Sequence, residues 1–403
     1  MNFYPDFKKL EIVIVGLGYV GLPLATHFAK SDMVVIGYDT SQKKIDEFRR
    51  GVDSAQILTV EEHSFLSSID FRSNLTNGTN KRVYIVTVPT PVSRDKVPDF
   101  SPLISASNYI GSILNPGDIV VYESTVYPGA TESICVPLLE RKSSLVFGKD
   151  FSVGYSPERV NPGDKTRTLD KIIKVVAGSD KETSSLLSDL YGKIVKAGTH
   201  MASSIAVAEA SKVIENIQRD VNIALMNELH KIFDKLQIDI NEVVDAASTK
   251  WNFMNVRPGL VGGHCIGVDP YYLIHKAKEV GLNPELIESA RLINENHIEY
   301  VISKLLKFAI RNKISLSESK ILFYGLAFKP NCEDLRNSKA FDVLKSLNDL
   351  GLQPAVFDPF QTTDLRPSQE YDLIICVTKH SSFQSDINSL VSNSSTTLIY
   401  NLI

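Results

Sequence analysis

The densest chemistry in the sequence lies in RPGLVGGHCIGVDPYYL, residues 257–273. Cys265 stands in a frame of Gly259, Gly262 and Gly263, which lets another backbone or a ligand approach closely, and Asp269 follows four residues later. If a helical turn begins after the glycines, thiol and carboxylate share one face. A thiol is dispensable for oxidising an alcohol once. It becomes useful when the resulting aldehyde must be oxidised again, because its adduct is a hydride-donating thiohemiacetal and the product is a hydrolysable thioester. Such a thiol, with an ordinary pKa near ~8.5, needs a nearby cation or helix N-terminus to ionise at neutral pH. The plain alternative is a buried structural cysteine. EASKVIENI offers a cation: Lys212 and Asn216 lie four apart on one polar helix edge, which a solvated face would also explain. Glu158 in YSPERVNPG and Thr125 in YESTVYPG each follow a strand-like run. Open α/β sheets place ligand-binding side chains there, and turns place caps of the same residue types.

A second constellation is EIVIVGLGYVGLPLA, with Gly16, Gly18 and Gly21 in G-x-G-x-x-G spacing between a strand and a helix. The spacing suits a backbone that turns tightly and brings a pyrophosphate onto the helix N-terminus. Alone it could be an ordinary glycine turn. The next strand, MVVIGYD, ends in Asp39, 18 residues after Gly21, where a carboxylate can take the ribose hydroxyls of a dinucleotide. Asp39 would repel a 2′-phosphate and no arginine follows it in TSQKK, so NAD is favoured over NADP despite Lys43 and Lys44.

These residues must be positioned by alternating elements. EIVIVGLG, MVVIGYD, RVYIVTVP, DIVVYEST, FSVGYSP and IIKVVAG read as strands of a mostly parallel sheet with crossover helices. Residues 201–237 lack Gly and Pro and carry Ile214, Ile217, Val221, Leu225, Leu229, Ile232 and Leu236 at helical steps. One helix of about 35 residues, ~50 Å long, is expected, joining domains and serving a subunit interface. Near residue 318 alternation restarts with KILFYGLAF, a helix around SKAFDVLKSLNDLG, then QPAVFDPF, YDLIICVT and TTLIYNLI. The expected domains are therefore 1–200, 201–315 and 316–403.

At 403 residues, 43% hydrophobic and with a net charge of −4, the chain has the make-up of a soluble protein with sizeable cores. It has no basic block for nucleic acid, no apolar run of the ~20 residues that span a bilayer, and no basic-apolar-small leader pattern. A cytoplasmic location is expected. Cys135, Cys265, Cys332 and Cys376 are too scattered for a metal-ligand pair and too few for a disulfide framework.

Together the motifs resemble the UDP-glucose/GDP-mannose dehydrogenase family, over nearly the whole chain and in the family's order. GLGYVGLPLA, including Tyr19 and Val20, resembles its cofactor loop; VPTP around Thr90 and STVYPG around Thr125 resemble later cofactor-contacting loops. YSPERVNPG is similar to the segment with the catalytic Glu, ASKVIEN to the Lys and Asn helix, GGHCIGVDP to the nucleophile motif, and GLAFKPNCEDLRNS to the C-terminal substrate and cofactor loop.

The resemblance implies two Rossmann-like doubly wound domains joined by a helical domain whose long central helix dimerises. It implies that Cys265 is the nucleophile, that Lys212 and Asn216 steady charge on the sugar oxygen, and that Asp269 orients water or moves a proton. Thr125 would position that water and Glu158 would assist thioester hydrolysis. Glu158, Arg159, Lys212, Asn216, Gly262 and Lys329 would meet substrate, Arg336 the cofactor, and Arg257 the sugar nucleotide of a partner subunit.

Within the family, RPGLVGGHCIGVDPYYL and NCEDLRNS resemble the UDP-N-acetylglucosamine and UDP-N-acetylgalactosamine 6-dehydrogenases of bacterial surface polysaccharides. The implied activity is four-electron oxidation of the sugar 6-hydroxyl, gluco favoured over galacto, with UDP-glucose or UDP-N-acetylmannosamine as alternative substrates. TTLIYNLI ends where relatives continue through a polar stretch, so a shortened last element is expected. A two-electron β-hydroxyacid dehydrogenase would share the Rossmann domain and the Lys-Asn helix, but not Cys265 in its glycine frame or the second α/β domain. A non-catalytic NAD-binding regulator would not need Cys265, Lys212, Asn216, Glu158 and Asp269 together.

Overall fold

Parallel strands covered on both faces read as unbroken apolar runs rather than as alternation, and EIVIV, RVYIV and IVVY fold in that way. The computed structural model describes residues 7–93, 95–160, 166–361, 371–390 and 397–402. Contacts divide the chain into one unit of Met1–Ile214 with Tyr271–Val280 and a second of Glu215–Pro270 with Gly281–Ile403.

The first unit is built on eight strands: β1 Glu11–Val15, β2 Val34–Tyr38, β3 Ile69–Arg72, β4 Arg82–Val86, β5 Ile119–Tyr122, β6 Ser152–Tyr155, β7 Lys174–Gly178 and β8 Thr199–Met201. They lie in the order β3-β2-β1-β4-β5-β6-β7-β8. All neighbours run parallel except β6 and β7, where Gly154 faces Gly178 and Tyr155 faces Ala177 in antiparallel register. Chain direction across the sheet reverses between β1 and β4, so the C-terminal ends of these two strands form the switch-point crevice at which such sheets bind ligands. Ile12, Ile14, Leu24, Phe28, Val83 and Ile85 pack the core beneath it.

The second unit carries a four-stranded parallel sheet, β9 Ile321–Tyr324, β10 Ala355–Phe357, β11 Leu373–Cys376 and β12 Leu398–Asn401, in the order β10-β9-β11-β12. Val301, Ile302 and Leu305 of the His297–Arg311 helix enter its core with Phe323, Ile375, Val343 and Leu347. The family-like architecture expected from the sequence is present: two Rossmann-type sheets and a long helix.

That helix spans Ile205–Lys235, 31 residues, and begins later than the residue pattern suggests. Thr199–Met201 pairs with Lys174–Val176 as β8, and the Ser204 hydroxyl then accepts the Val207 N–H at 3.2 Å to start the helix. Its end needs no glycine: Gln237 adopts a left-handed φ of 61°, and the Ile238 N–H returns to the Phe233 carbonyl at 2.9 Å. Ile217 of the expected apolar stripe is buried, but Ile214, Leu225, Ile232 and Leu236 remain about half exposed in the single chain. Among the described residues no helix is long and apolar enough to cross a membrane, and no group of three or more His, Cys, Asp or Glu could hold a metal ion.

Candidate active site

β1 delivers the chain to Gly16, whose φ of +100° only glycine adopts cheaply. A Cβ on Gly21 would lie 1.9 Å from the Gly16 carbonyl oxygen, so the third glycine is what lets the Gly21–Lys30 helix start against the turn. A Cβ on Gly18 would meet nothing within 4 Å; that glycine leaves open space over the helix N-terminus. Among the described residues no side chain caps this N-terminus; the Leu22 N–H donates to the Gly18 carbonyl at 3.1 Å and Pro23 has none, so the helix offers a pyrophosphate its dipole and the Gly21 N–H, not a row of free amides. Tyr19 is half exposed beside Val20. Asp39 ends β2: Oδ2 accepts the Leu17 N–H at 3.0 Å and the Lys44 ammonium at 3.2 Å, while Oδ1 accepts the Ser41 N–H at 2.9 Å. These residues fit a dinucleotide, with the carboxylate anchored behind the glycine turn.

Further along the sheet, the Thr90 hydroxyl donates to the Thr125 carbonyl at 2.7 Å, tying VPTP to STVYPG. Tyr272 donates its hydroxyl to the Thr90 carbonyl. Glu209, near the start of the long helix and fully buried, accepts the Thr131 N–H at 2.9 Å and the Gly129 N–H at 2.5 Å, fixing the segment that follows Thr125. Glu158, beyond the end of β6, accepts the N–H groups of Val160 and Arg159 on Oε1, at 2.6 and 2.7 Å, and the Lys174 ammonium on Oε2, at 3.0 Å. Burial pushes this carboxyl up, but Lys174 and the two N–H groups more than offset it and hold it below the usual range. Arg159 directs its guanidinium to the Ile173 carbonyl. The Pro/Gly loop expected after it, residues 161–163, lies outside the described residues. Lys212 is half-buried on the long helix.

In the second unit, Cys265 is exposed, and its carbonyl accepts the N–H groups of Val268 and Asp269 at 3.1 and 2.8 Å. The thiol-bearing residue thus precedes the helix that opens at Asp269 instead of lying within it. Asp269 is buried and accepts the Asn216 side-chain amide at 2.6 Å, so the long helix and the cysteine turn are pinned together. The other three thiols are buried, and burial pushes Cys135 and Cys376 up to about 12. The description of a buried cysteine fits those two, whereas Cys265 is exposed.

Two glycines set the approach to Cys265. A Cβ on Gly262 would lie 2.8 Å from the Asn337 carbonyl oxygen, and Gly263, at φ +81°, would set one 2.8 Å from the Phe328 ring. The Gly263 N–H donates to the same Asn337 carbonyl at 3.1 Å. Gly259 has no such neighbour; both its backbone groups are instead bonded to the Asn227 side chain, at 2.9 and 3.0 Å. The loop packed on these glycines carries Lys329, whose ammonium sits 5.5 Å from the Phe328 ring centroid, and Arg336. Arg336 grips Asp334 through Nε at 2.9 Å and Nη2 at 2.7 Å, and the same carboxylate meets His264 Nε2 at 3.1 Å. Burial would raise Asp334, but Arg336 holds it down to about 2. Burial, aided by the Arg336 charge, lowers His264 against the pull of Asp334. Arg257 bonds Asp245 and, at 3.1 Å, Asn241 of the Ile240–Ala247 helix.

Sequence reasoning missed Glu209, Asn227, Lys174 and Asp334. The signal for Glu209 was an acidic residue amid VAEAS, next to the apolar stripe; the others reveal themselves only through partners 16 or more residues away or through a loop conformation.

A glycine cradle at a Rossmann switch point, an acid ending the second strand and an exposed cysteine on a rigid turn define a dinucleotide-dependent oxidoreductase. The UDP-glucose/GDP-mannose dehydrogenase family matches in three parts: its NAD binding domain over residues 10–195, its central domain over 206–296 and its UDP binding domain over 322–402. The UDP-N-acetyl-D-glucosamine 6-dehydrogenase of Pseudomonas aeruginosa is 50% identical over 390 residues, covering 94% of this chain and 92% of that protein. The protein of the same name from Salmonella typhi is 48% identical over 388 residues, covering 93% and 91%. The solved structure of a UDP-D-ManNAc dehydrogenase from Pyrococcus horikoshii superposes with a TM-score of 0.85 at 31% identity, covering 98% of this chain and 96% of that one. The chain belongs to the UDP-glucose/GDP-mannose dehydrogenase family, and it is an NAD-dependent enzyme.

Proposed function

We propose that the protein oxidises the 6-hydroxyl of UDP-N-acetylglucosamine to the carboxylate, with UDP-N-acetylgalactosamine the next-best substrate, in the making of a surface polysaccharide. The observation that carries the reading is the 50% identity, across 94% of the chain, to a UDP-N-acetyl-D-glucosamine 6-dehydrogenase. Relatives named for UDP-N-acetyl-D-mannosamine from Pyrococcus horikoshii and Methanococcus maripaludis are 33% and 30% identical. Protein CapL of Staphylococcus aureus, 51% identical over 348 residues, supports a capsule-type role.

NAD, held by Gly16, Gly18, Tyr19, Val20, Gly21, Asp39, Thr90, Thr125 and Arg336, supplies the hydride acceptor for both oxidations. Cys265 adds to the C6 aldehyde and retains it as a thiohemiacetal; the later thioester is hydrolysed to the acid. Lys212 and Asn216 steady the oxygen that gains negative charge. Asp269, fixed by Asn216, and Thr125 place water, and Glu158 assists hydrolysis. Arg159, Gly262 and Lys329 meet the sugar nucleotide. The half-exposed Ile214, Leu225, Ile232 and Leu236 support a homodimer through the long helix, in which Arg257 serves the partner's substrate.

The test is the initial rate of NADH formation with UDP-N-acetylglucosamine, UDP-N-acetylgalactosamine, UDP-N-acetylmannosamine and UDP-glucose at matched concentrations. The gluco N-acetyl sugar should show the highest kcat/KM. UDP-glucose or the manno sugar as best substrate overturns the substrate assignment.

A further inference from the structure

One buried titratable group has no part in the chemistry above. Lys174 opens β7, is 4% exposed, and places its ammonium 2.8 Å from Glu123 Oε2 and 3.0 Å from Glu158 Oε2. Its location follows from the one antiparallel pairing of the sheet. With β7 running against β6, its first residue comes to the C-terminal end of β6, where Glu158 leaves the sheet. A parallel β7 would have put Lys174 at the opposite edge. Ser156, between them, donates its hydroxyl to the Val175 carbonyl at 2.8 Å and locks that register.

The surroundings leave Lys174 two carboxylates to serve. Glu123, at the end of β5, has its other oxygen occupied by the Tyr191 hydroxyl at 2.5 Å, and the Tyr191 ring lies 5.4 Å from the ammonium. Glu158 has its other oxygen on the two N–H groups beyond it, and Arg159 points its charge to the Ile173 carbonyl. A buried ion pair of this kind adds little stability over an apolar pair of the same volume. What it does supply is a fixed charge state: three donors converge on Glu158, and a second carboxylate divides the lysine's attention.

We propose that Lys174 is a positioning residue for the reaction: it holds the Glu158 carboxylate ionised and aimed at the end of β6, with Glu123 as the counterweight that moderates its pull. This rests on the reading that Glu158 assists hydrolysis. The directions of the shifts agree, with Glu158 held below its ordinary value and, chiefly through burial, Glu123 held above it. Glu158 therefore works as a fixed acceptor for a hydrogen bond, not as a group that cycles a proton.

The test is the pH profile of kcat/KM with UDP-N-acetylglucosamine and NAD for wild type, Glu158→Gln, Glu123→Gln, Lys174→Arg and the charge-balanced pair Lys174→Met with Glu123→Gln. The pair removes one charge of each sign, so it leaves the net charge of the buried cluster unchanged. It should move the acid limb up by about 1–3 pH units. Glu123→Gln alone leaves the lysine undivided and should move the limb down, and Lys174→Arg should restore the wild-type profile. A merely structural lysine would lower rates without shifting the limb. If the double variant does not fold, the downward shift in Glu123→Gln decides. Wild-type profiles in both, with Glu158→Gln impaired, overturn the proposal; full activity in Glu158→Gln overturns the role of Glu158 beneath it.

Discussion

Three glycines within five residues of one another, Gly259, Gly262 and Gly263, look alike in RPGLVGGHC and should respond to alanine in opposite ways. At Gly262 the added methyl would sit 2.8 Å from the Asn337 carbonyl oxygen and 3.1 Å from the Lys339 nitrogen, both backbone atoms that cannot swing aside. Ordinary contact needs roughly 3.5 Å, so the two loops must part by over about half an ångström. Overpacking of that kind costs ~1–3 kcal/mol. Stretching the Gly263 N–H bond to Asn337 costs a further ~0.5–1.5 kcal/mol, so ~2–4 kcal/mol is expected in all.

At Gly263 the left-handed φ costs ~1–2 kcal/mol for alanine, and the Phe328 ring at 2.8 Å must also move. At Gly259 no atom lies within 4 Å and φ is outside the left-handed region, so alanine should gain ~0.4–1 kcal/mol by restricting the unfolded chain. Cys265 follows Gly263 by two residues, and a displacement near 1 Å can cost ~10²-fold in turnover. Calorimetric Tm and NADH production on the same preparations should rank Gly259→Ala at or above wild type, with the other two well below. Wild-type Tm and turnover in Gly262→Ala, or equal damage from Gly259→Ala, would refute the argument.

Cys265→Ala should abolish acid formation while NAD binding persists, and wild type should yield about two NADH per acid; full acid production by the variant sinks the thiol chemistry. Asp39→Ala should narrow the preference for NAD over NADP in kcat/KM, and equal wild-type rates with both cofactors would count against the placement of Asp39. His297 is fully buried, with neither ring nitrogen bonded among the described residues, and burial, helped by His230, pushes it down to about 3. Its folded pKa is depressed, so its contribution is complete above ~6.5 and falls by up to ~1.4 kcal/mol per pH unit below that; a Tm series from pH 7.5 to 5 should flatten in His297→Phe. Light scattering should report a dimer or larger even assembly that Leu225→Glu with Ile232→Glu dissociates, and a fully active wild-type monomer would refute both the interface and the shared site.

What the sequence made legible was local. Gly16, Gly18 and Gly21 with Asp39 announce a cradle because backbone conformation, strand end and helix start are all encoded within 24 residues. The apolar runs of β1, β4 and β5 are equally plain. β3 and β8 were not, because IDFR buries only alternate residues and THM is largely exposed at the sheet edge, so neither carries a continuous apolar signal. The helix start was misread for the same reason: strand pairing claimed Thr199–Met201 over helix propensity. In the site, Asn216 and Asp269 were each singled out, but the bond between them spans 53 positions. Lys174 with Glu123 spans 51, and the buried Arg291 with Asp220 spans 71; no local pattern encodes such partners.

The two Rossmann-type sheets show why a motif is weaker evidence than its surroundings. In the second, Gly325 follows β9 with φ +90°, as Gly16 follows β1 with φ +100°. Each glycine N–H donates to the carbonyl that precedes an acid, Tyr38 at 2.8 Å and Phe357 at 2.9 Å. Each acid then accepts the N–H of the residue after its glycine: Leu17 to Asp39 at 3.0 Å, Leu326 to Asp358 at 2.7 Å. On glycine, turn and acid alone, the two cradles are the same. They part at the carboxylate's outer side. Asp39 meets the tip of Lys44, a side chain about half exposed, which a ligand can displace. Asp358 is wholly buried and meets His380 Nε2 at 3.2 Å, while His380 Nδ1 accepts the Asn331 N–H at 3.1 Å. His380 is thus engaged at both ring nitrogens and occupies the outer side of Asp358 that, at Asp39, is left to the half-exposed tip of Lys44. The second acid is thereby committed to holding the loop that carries Lys329 and Arg336, and only the first is left to meet a dinucleotide.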